Sequence, residues 1–104
     1  MKKGEIWWAV LPTPIGRRPV LLLSRDEAIR VRTQVTIAEV TTAVYHIPVE
    51  VPLGPEDGLP KRCVANLDTV TTVPKDCLAD RMCGLSPFKM EQVHRAIRFA
   101  LDLP

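Results

Sequence analysis

The sequence predicts a small, mainly β domain in which about five short strands form a barrel, with one amphipathic helix at the C-terminal end. The chain has 104 residues, 46% of them hydrophobic, which suffices for one core that buries roughly two-thirds of the unfolded surface. Its ten prolines fall between apolar runs, which favours short strands over long helices. Only the last segment repeats apolar residues at helical spacing. We expect a single domain over residues 1–104.

The strands are predicted by apolar and β-branched runs that loops separate. The first run covers residues 5–11, and a proline-rich loop at 12–19 leads to residues 20–23, which are apolar on both faces as in a central strand. Further β-branched runs predict strands at residues 33–42, 47–51 and 63–73, the last as one bent strand or two consecutive ones. A turn-rich loop at 53–60 is the longest connection.

Two helices are predicted by their start signals. Ser24 and Glu27 have the spacing of a capping box, so one or two helical turns should run to about Val31. At the C-terminal helix, Ser86 is placed as N-cap and Pro87 at the first helical position. Leu85 and Met90 are spaced as a hydrophobic staple across this start. The apolar stripe of the helix consists of Met90, Val93, Ile97, Ala100 and Leu101. On the other face, two i,i+4 pairs are predicted: Glu91 with Arg95, and Arg98 with Asp102.

Charge and cysteine content limit the classes of protein. The net charge is only +2, but residues 1–32 carry seven basic and three acidic side chains, whereas residues 33–80 carry three basic and seven acidic ones. This asymmetry permits a basic face for phosphates, although scattered solvated charges give the same count. The three cysteines include no Cys-x-x-Cys pair, so we expect reduced thiols, no metal site and no thiol nucleophile. No apolar run could span a bilayer and no signal peptide precedes the first strand, which predicts a cytoplasmic protein without membrane contact.

Two short motifs carry candidate chemistry. In Arg17-Arg18-Pro19 the proline restricts the backbone of Arg18 and so stiffens an arginine at the entry to the central strand. Thr41-Thr42 ends a strand, so at least one hydroxyl should lie at the rim of the sheet. An arginine beside a hydroxyl suits a phosphodiester. Taken singly, such an arginine is most often a solvated charge, and such a threonine pair most often reflects β-propensity.

The adjacent tryptophans form a third motif. Trp7 and Trp8 lie on one predicted strand, so their rings point to opposite faces and one should fill the core while the other lies near the surface. An outward ring can stack on a base, anchor a protein interface or cover a neighbouring loop.

Taken in order, these motifs resemble the MazF/PemK family of toxin endoribonucleases from type II toxin–antitoxin systems. The resemblance is carried by Lys3-Gly4-Glu5-Ile6-Trp7, by the strand entry from Arg18 to Ser24 with Asp26 after it, by Val40-Thr41-Thr42 and by the tail 67–103. It implies an SH3-like β-barrel of the MazF/Kid/CcdB type with a C-terminal helix, assembled as a homodimer. It also implies cleavage of single-stranded RNA at short sequence motifs without metal or cofactor, and inhibition by a cognate antitoxin.

The resemblance assigns roles to individual residues. Arg18 matches the catalytic arginine of the family, and Thr41 the catalytic threonine, with Thr42 as the match if the alignment slips by one. In the implied reaction the ribose 2′-hydroxyl attacks the adjacent phosphorus and expels the 5′-oxygen, which leaves a 2′,3′-cyclic phosphate. Arg18 would stabilise charge on the phosphoryl oxygens and Thr41 would position the phosphate.

The proton acceptor and the RNA contacts are less well determined by the resemblance. Arginine is an awkward base, and two carboxylates could assist: Asp68, at a position that is frequently acidic in the family, and Glu39, on the same strand face as Thr41. Either could instead pair with a basic neighbour, which we favour for Glu39. Candidate RNA contacts are Arg17, Lys61, Arg62 and one of Trp7 and Trp8.

The chain departs from the family pattern at two places. The loop before Arg18 is shorter than usual, and Thr71-Thr72 stands where many members have Arg-Thr. These departures bear on the preferred RNA sequence more than on the reaction.

Two other functions fit the same barrel. A CcdB-like gyrase poison shares the fold, but that family depends on a Trp-Gly-Ile ending, whereas this chain ends Asp102-Leu103-Pro104. A non-catalytic SH3-like binding module, including a degenerate toxin that only sequesters antitoxin, is the second alternative.

Overall fold

The computed structural model describes residues 1–104 and contains one curled, six-stranded antiparallel sheet. In chain order the strands are β1 (Glu5–Leu11), β2 (Gly16–Leu22), β3 (Gln34–Thr41), β4 (Glu50–Leu53), β5 (Cys63–Pro74) and β6 (Leu78–Gly84). Their order across the sheet is β4-β5-β3-β2-β1-β6, and every neighbouring pair is antiparallel. The helices are α1 (Asp26–Val31) and α2 (Pro87–Ala100), and short 3-10 turns cover Pro55–Asp57 and Lys75–Cys77. The mainly β fold with a C-terminal helix is thus confirmed.

The two faces of the sheet each bury a separate core, because side chains alternate along every strand. Leu21 belongs to a cluster of 13 buried residues that α2 covers with Val93 and Ala96. Its neighbours Val20 and Leu22 belong to a second cluster of 8 buried residues, to which α1 contributes its buried face. The central strand is therefore apolar on both sides, as its sequence predicts.

The sheet curls far enough for the segment after β4 to meet β6. Gly58 has φ +97, a backbone conformation that favours glycine, and a Cβ built there would lie 2.8 Å from the Cβ of Cys83 in β6. The carboxylate of Asp57 accepts a hydrogen bond from the N–H of Gly54 at 3.0 Å and fixes the turn. This segment, and not a strand pairing, closes the half-barrel between its two edge strands.

Helix α2 begins as its sequence predicts. The Ser86 hydroxyl accepts a hydrogen bond from the N–H of Lys89 at 3.1 Å, and Pro87 is the first helical residue. Leu85, Met90, Ile97 and Ala100 pack against the core under the helix. The C-terminal end differs from the prediction, because Leu101 follows the helix and is exposed.

The prediction of two i,i+4 ion pairs on the surface of α2 is wrong, because neither pair is formed. Asp102 adopts φ 54 beyond the helix end, which takes it off the helical spacing to Arg98. Arg98 instead approaches Glu91, two turns earlier, with Nη2 at 3.9 Å from Oε1.

The capping box predicted for α1 is also wrong. The N-cap is Arg25, which makes no side-chain cap. The Ser24 hydroxyl accepts a hydrogen bond from the N–H of Thr36 in β3 at 2.8 Å. The neighbouring strand therefore uses the hydroxyl that the local spacing assigned to the helix.

Strand bounds differ from the prediction at three places. β2 begins at Gly16, so Arg17 and Arg18 lie in a strand, opposite Val10 and Ala9 of β1, and not in a loop. β4 lies slightly later than predicted, and β5 is one strand with a register shift opposite β3. β6 was not predicted, because its sequence LADRMCG has no β-branched residue. Neither α1 nor α2 meets the length and hydropathy that a membrane-spanning helix requires.

Candidate active site

A cavity of about 230 Å³ opens where β2 begins, β3 ends and β5 begins. Its polar lining consists of three cations and two hydroxyls: Arg17, Arg18, Lys61, Thr41 and Thr42. The indole of Trp8 and the side chains of Pro19, Val40, Leu59, Pro60, Cys63 and Met82 complete the wall. No aspartate, glutamate or histidine lines it, so the cavity presents positive charge and hydroxyls on a largely apolar floor.

The strand register explains why Arg18 and Thr41 meet in this cavity. The pairing of β2 with β3 ends with Val20 opposite Glu39. If the same register continued for two more residues, Arg18 would lie opposite Thr41. Pro19, which lies between Val20 and Arg18 along β2, has no N–H to extend the ladder of hydrogen bonds. The strands therefore stop pairing beside two residues that both border the cavity.

Arg18 is held by an ion pair with Glu39. Its Nη1 donates a hydrogen bond to Oε1 of Glu39 at 2.6 Å, and the side chains are 34% and 16% exposed. Both residues project from the same face of the sheet, on neighbouring strands. Glu39 thus pairs with a basic neighbour, as the sequence favours.

Arg17 and Trp8 form a second contact at the cavity. The guanidinium carbon of Arg17 lies 4.9 Å from the centroid of the Trp8 ring, as in a cation–π contact. Trp7 points to the opposite face, where its Nε1 donates to Oε1 of Glu5 at 3.0 Å and its ring packs against the second core. Of the two adjacent tryptophans, Trp8 is the one at the cavity.

Besides Glu39, two more of the charged candidates lie outside the cavity. Asp68 is exposed on β5, and its N–H donates to the side chain of Asn66 at 2.9 Å. Arg62 donates to Oε2 of Glu56 at 2.6 Å and lines a different cavity. The structure therefore does not bring these two side chains together with Arg18 and Thr41.

Sequence reasoning missed the wall formed by Leu59, Pro60, Cys63 and Met82. Leu59 and Pro60 lie in the turn-rich loop at 53–60, to which the sequence assigns no role at the site, and Met82 lies in the unpredicted strand β6. A signal was present in Gly54-Pro55-Glu56-Asp57-Gly58, whose glycines and proline specify a tight turn that can approach another strand.

The buried thiols near the cavity are poor nucleophiles. Burial raises the pKa of Cys63, and the carboxylate of Asp57 raises it further. Burial likewise raises the pKa of Cys83, which outweighs the opposite effect of Arg81. Both thiols are therefore protonated at neutral pH. No three His, Cys, Asp or Glu side chains are grouped so that they could hold a metal ion.

Comparison with known proteins identifies the family. Residues 2–101 match the family model described as "PemK-like, MazF-like toxin of type II toxin-antitoxin system". The chain is 38% identical over 101 residues to a Mycobacterium tuberculosis protein named "Probable endoribonuclease MazF5". The match covers 96% of this chain and 92% of that relative.

Solved structures agree over the whole length of the fold. The Mycobacterium tuberculosis toxin MazF-mt6 superimposes with a TM-score of 0.89 at 32% identity, covering 96% of this chain and 98% of that one. A mycobacterial endoribonuclease in complex with its cognate antitoxin superimposes with a TM-score of 0.88 at 30% identity, covering 100% and 97%. The chain therefore belongs to the PemK-like, MazF-like family of toxins of type II toxin–antitoxin systems.

Proposed function

We propose that the protein is an endoribonuclease toxin that cleaves single-stranded RNA in the cavity between β2 and β3. The observation that carries this proposal is that Arg18 and Thr41 line one cavity, although they are far apart in sequence. The relatives named as endoribonucleases cover almost the whole chain, which supports the same activity here.

In the proposed reaction the substrate supplies the nucleophile. The ribose 2′-hydroxyl attacks the adjacent phosphorus in line, the bond to the 5′-oxygen breaks, and the 2′-hydroxyl proton is balanced by protonation of the leaving oxygen. The products are a 2′,3′-cyclic phosphate and a 5′-hydroxyl. The protein then needs only to align the phosphodiester and to neutralise charge on its oxygens.

Arg18 and Thr41 suit these two tasks. A guanidinium donates paired N–H groups to phosphate oxygens, and the ion pair with Glu39 occupies one N–H of Arg18. The Thr41 hydroxyl can donate to the same phosphate. We propose that the reaction proceeds without metal, because the guanidinium supplies the positive charge that the transition state requires.

The remaining cations and the indole suit the flanking nucleotides. Arg17, stacked on Trp8, and Lys61 lie on the same cavity, where they can contact phosphates while a base stacks on the ring. Trp7, Arg62 and Asp68 lie outside the cavity and take no part in the proposed reaction.

We further propose that the protein forms a homodimer and is inhibited by a cognate antitoxin. A structural relative with a TM-score of 0.88 is named as an endoribonuclease in complex with its cognate antitoxin. Light scattering of the purified protein, alone and with the product of an adjacent gene, tests both assemblies.

Incubation of the purified protein with a long RNA and EDTA tests the activity. We expect fragments that end at fixed sequences and carry a 2′,3′-cyclic phosphate and a 5′-hydroxyl. Intact RNA together with gyrase-dependent DNA breaks would contradict the proposal and support a CcdB-like poison. Intact RNA without such breaks would support a binding module.

A further inference from the structure

We propose that Glu39 is a positioning residue that orients the guanidinium of Arg18 toward the scissile phosphate. This inference rests on the proposed function. It begins with the 2.6 Å hydrogen bond from Nη1 of Arg18 to Oε1 of Glu39. An arginine side chain has several rotatable bonds, so a partner at its tip removes freedom that would otherwise be lost when RNA binds.

Glu39 is itself held in place by the fold. Its side chain is only 16% exposed, and its N–H donates to Oγ1 of Thr69 at 2.9 Å. The Thr69 hydroxyl donates in turn to the carbonyl of Asn66 at 2.6 Å. These contacts lie where the register of β3 against β5 shifts between Ile37 and Glu39. Such irregularities commonly re-aim a side chain.

The geometry leaves Arg18 free to bind phosphate. A guanidinium has five N–H donors, and a single hydrogen bond to Glu39 is formed here. The contact therefore fixes the group at one corner and leaves a pair of donors for a phosphate. Arg18 is 34% exposed, so these donors remain accessible to a ligand.

The position of the carboxylate favours orientation over proton transfer. Arg18 borders the cavity and Glu39 does not, so a phosphate bound there would meet Arg18 before the carboxylate. A general base has to come within hydrogen-bond reach of the 2′-hydroxyl. Glu39 acts instead through Arg18.

A pair of substitutions separates these roles. Glu39→Gln keeps an amide oxygen that can accept from Arg18 but removes the negative charge, whereas Glu39→Ala removes the acceptor. We expect Glu39→Ala to lower kcat by about 100-fold, the loss associated with a misplacement of about 1 Å. Glu39→Gln should keep kcat within about 5-fold and lower KM, because a charge that repels RNA is gone.

A control and two further readouts complete the test. Glu56→Gln removes a carboxylate that pairs with Arg62 outside the cavity and should leave kcat unchanged. The pH profile of kcat should keep its shape in Glu39→Gln. In the free protein, the side-chain NH resonances of Arg18 should broaden or average in Glu39→Ala but not in Glu39→Gln.

The outcomes are distinguishable. Equal loss of kcat in both Glu39 variants with loss of the acidic limb of the pH profile would overturn positioning in favour of a general base. Wild-type kcat in Glu39→Ala, or an Arg18 side chain as ordered there as in wild type, would overturn the inference and leave the RNase activity standing. Failure of the wild-type protein to cleave RNA would instead refute the proposed function, and the positioning role with it.

Discussion

Arg18 and Thr41 lie near each other because β2 and β3 stop pairing just before these two residues. Glu39 and Val20 form the last pair of β2 with β3, and Pro19 cannot extend the ladder. The residues beyond that pair border a cavity between the strand ends. The sequence allowed the residues to be named, but their position at one cavity depends on a register that no local pattern specifies.

The two neighbouring threonines provide a test at the residue scale. Thr41 is half-buried and its Oγ1 accepts from the N–H of Ala43 at 3.1 Å, whereas Thr42 is exposed. We expect Thr41→Val to lower kcat for RNA cleavage by about 100-fold, since it removes a donor to the phosphate. Thr42→Val, the matched control, should change kcat by less than about 3-fold. A larger effect at Thr42 would move the catalytic hydroxyl by one residue.

Among the elements, the turn between β4 and β5 closes the cavity, and Gly58 allows it to do so. The residue combines a left-handed backbone, φ +97, with a close approach of 2.8 Å between an added Cβ and the Cβ of Cys83. Leu59, Pro60 and Lys61 follow it directly and line the cavity. The conformation of this turn therefore sets the position of one wall of the site.

Gly58→Ala tests this role against a glycine with the same backbone preference. Gly16 has φ +70 and nothing within 4 Å of an added Cβ. Gly16→Ala should therefore cost about 1 kcal/mol of unfolding free energy from backbone strain alone. Gly58→Ala should cost at least about 2 kcal/mol, since the clash with β6 adds to the strain, and it should raise KM for RNA. Urea denaturation and cleavage kinetics of both variants provide the measurements, and equal losses would show that the contact with β6 is unimportant.

The elements also show which features the sequence could predict. Helix α2 was predicted because Ser86, Pro87 and its apolar stripe are local signals. The N-cap of α1 was not predicted correctly, since the Ser24 hydroxyl accepts a hydrogen bond from Thr36 in β3 and does not cap the helix. β6 was missed because it gains its pairing from β1 and not from β-branched residues. The ion pair of Glu39 with Arg18 could not be derived from local sequence either, because it depends on the pairing of β2 with β3.

For the whole molecule, Glu5 links the N-terminus, β1 and β6. Burial by itself would raise the pKa of Glu5, but hydrogen bonds from Arg81, from the indole of Trp7 and from the N–H of Lys2 outweigh it and lower the pKa to about 2. Arg81 Nε lies 2.8 Å from Oε2 of Glu5. The ionised carboxylate therefore stabilises the fold by joining strands at one edge of the sheet.

This network predicts a pH dependence of stability. The pKa of Glu5 is about 2 in the folded protein against 4.5 as the ordinary value, so its contribution is complete above about pH 4.5 and is lost as the pH falls toward 2. Glu5→Gln should lower the unfolding free energy by about 2 kcal/mol at pH 7, and the difference from wild type should shrink below pH 4.5. Glu91→Gln, on an exposed ion pair, should change stability by less than about 0.5 kcal/mol. A Glu5→Gln deficit that stays constant from pH 7 to pH 3 would contradict this linkage.

RNA cleavage by Arg18→Ala in the presence of EDTA decides whether the cavity between β2 and β3 is the active site. Arg18→Ala leaves the partly buried Glu39 carboxylate without its partner, which could destabilise the fold. The double variant Arg18→Ala/Glu39→Gln removes this unpaired charge and is therefore measured as well. We predict that both variants retain a cooperative unfolding transition and lose cleavage by at least about 1000-fold, with no cyclic-phosphate ends formed. Cleavage by either folded variant at the wild-type rate would place the chemistry elsewhere in the protein.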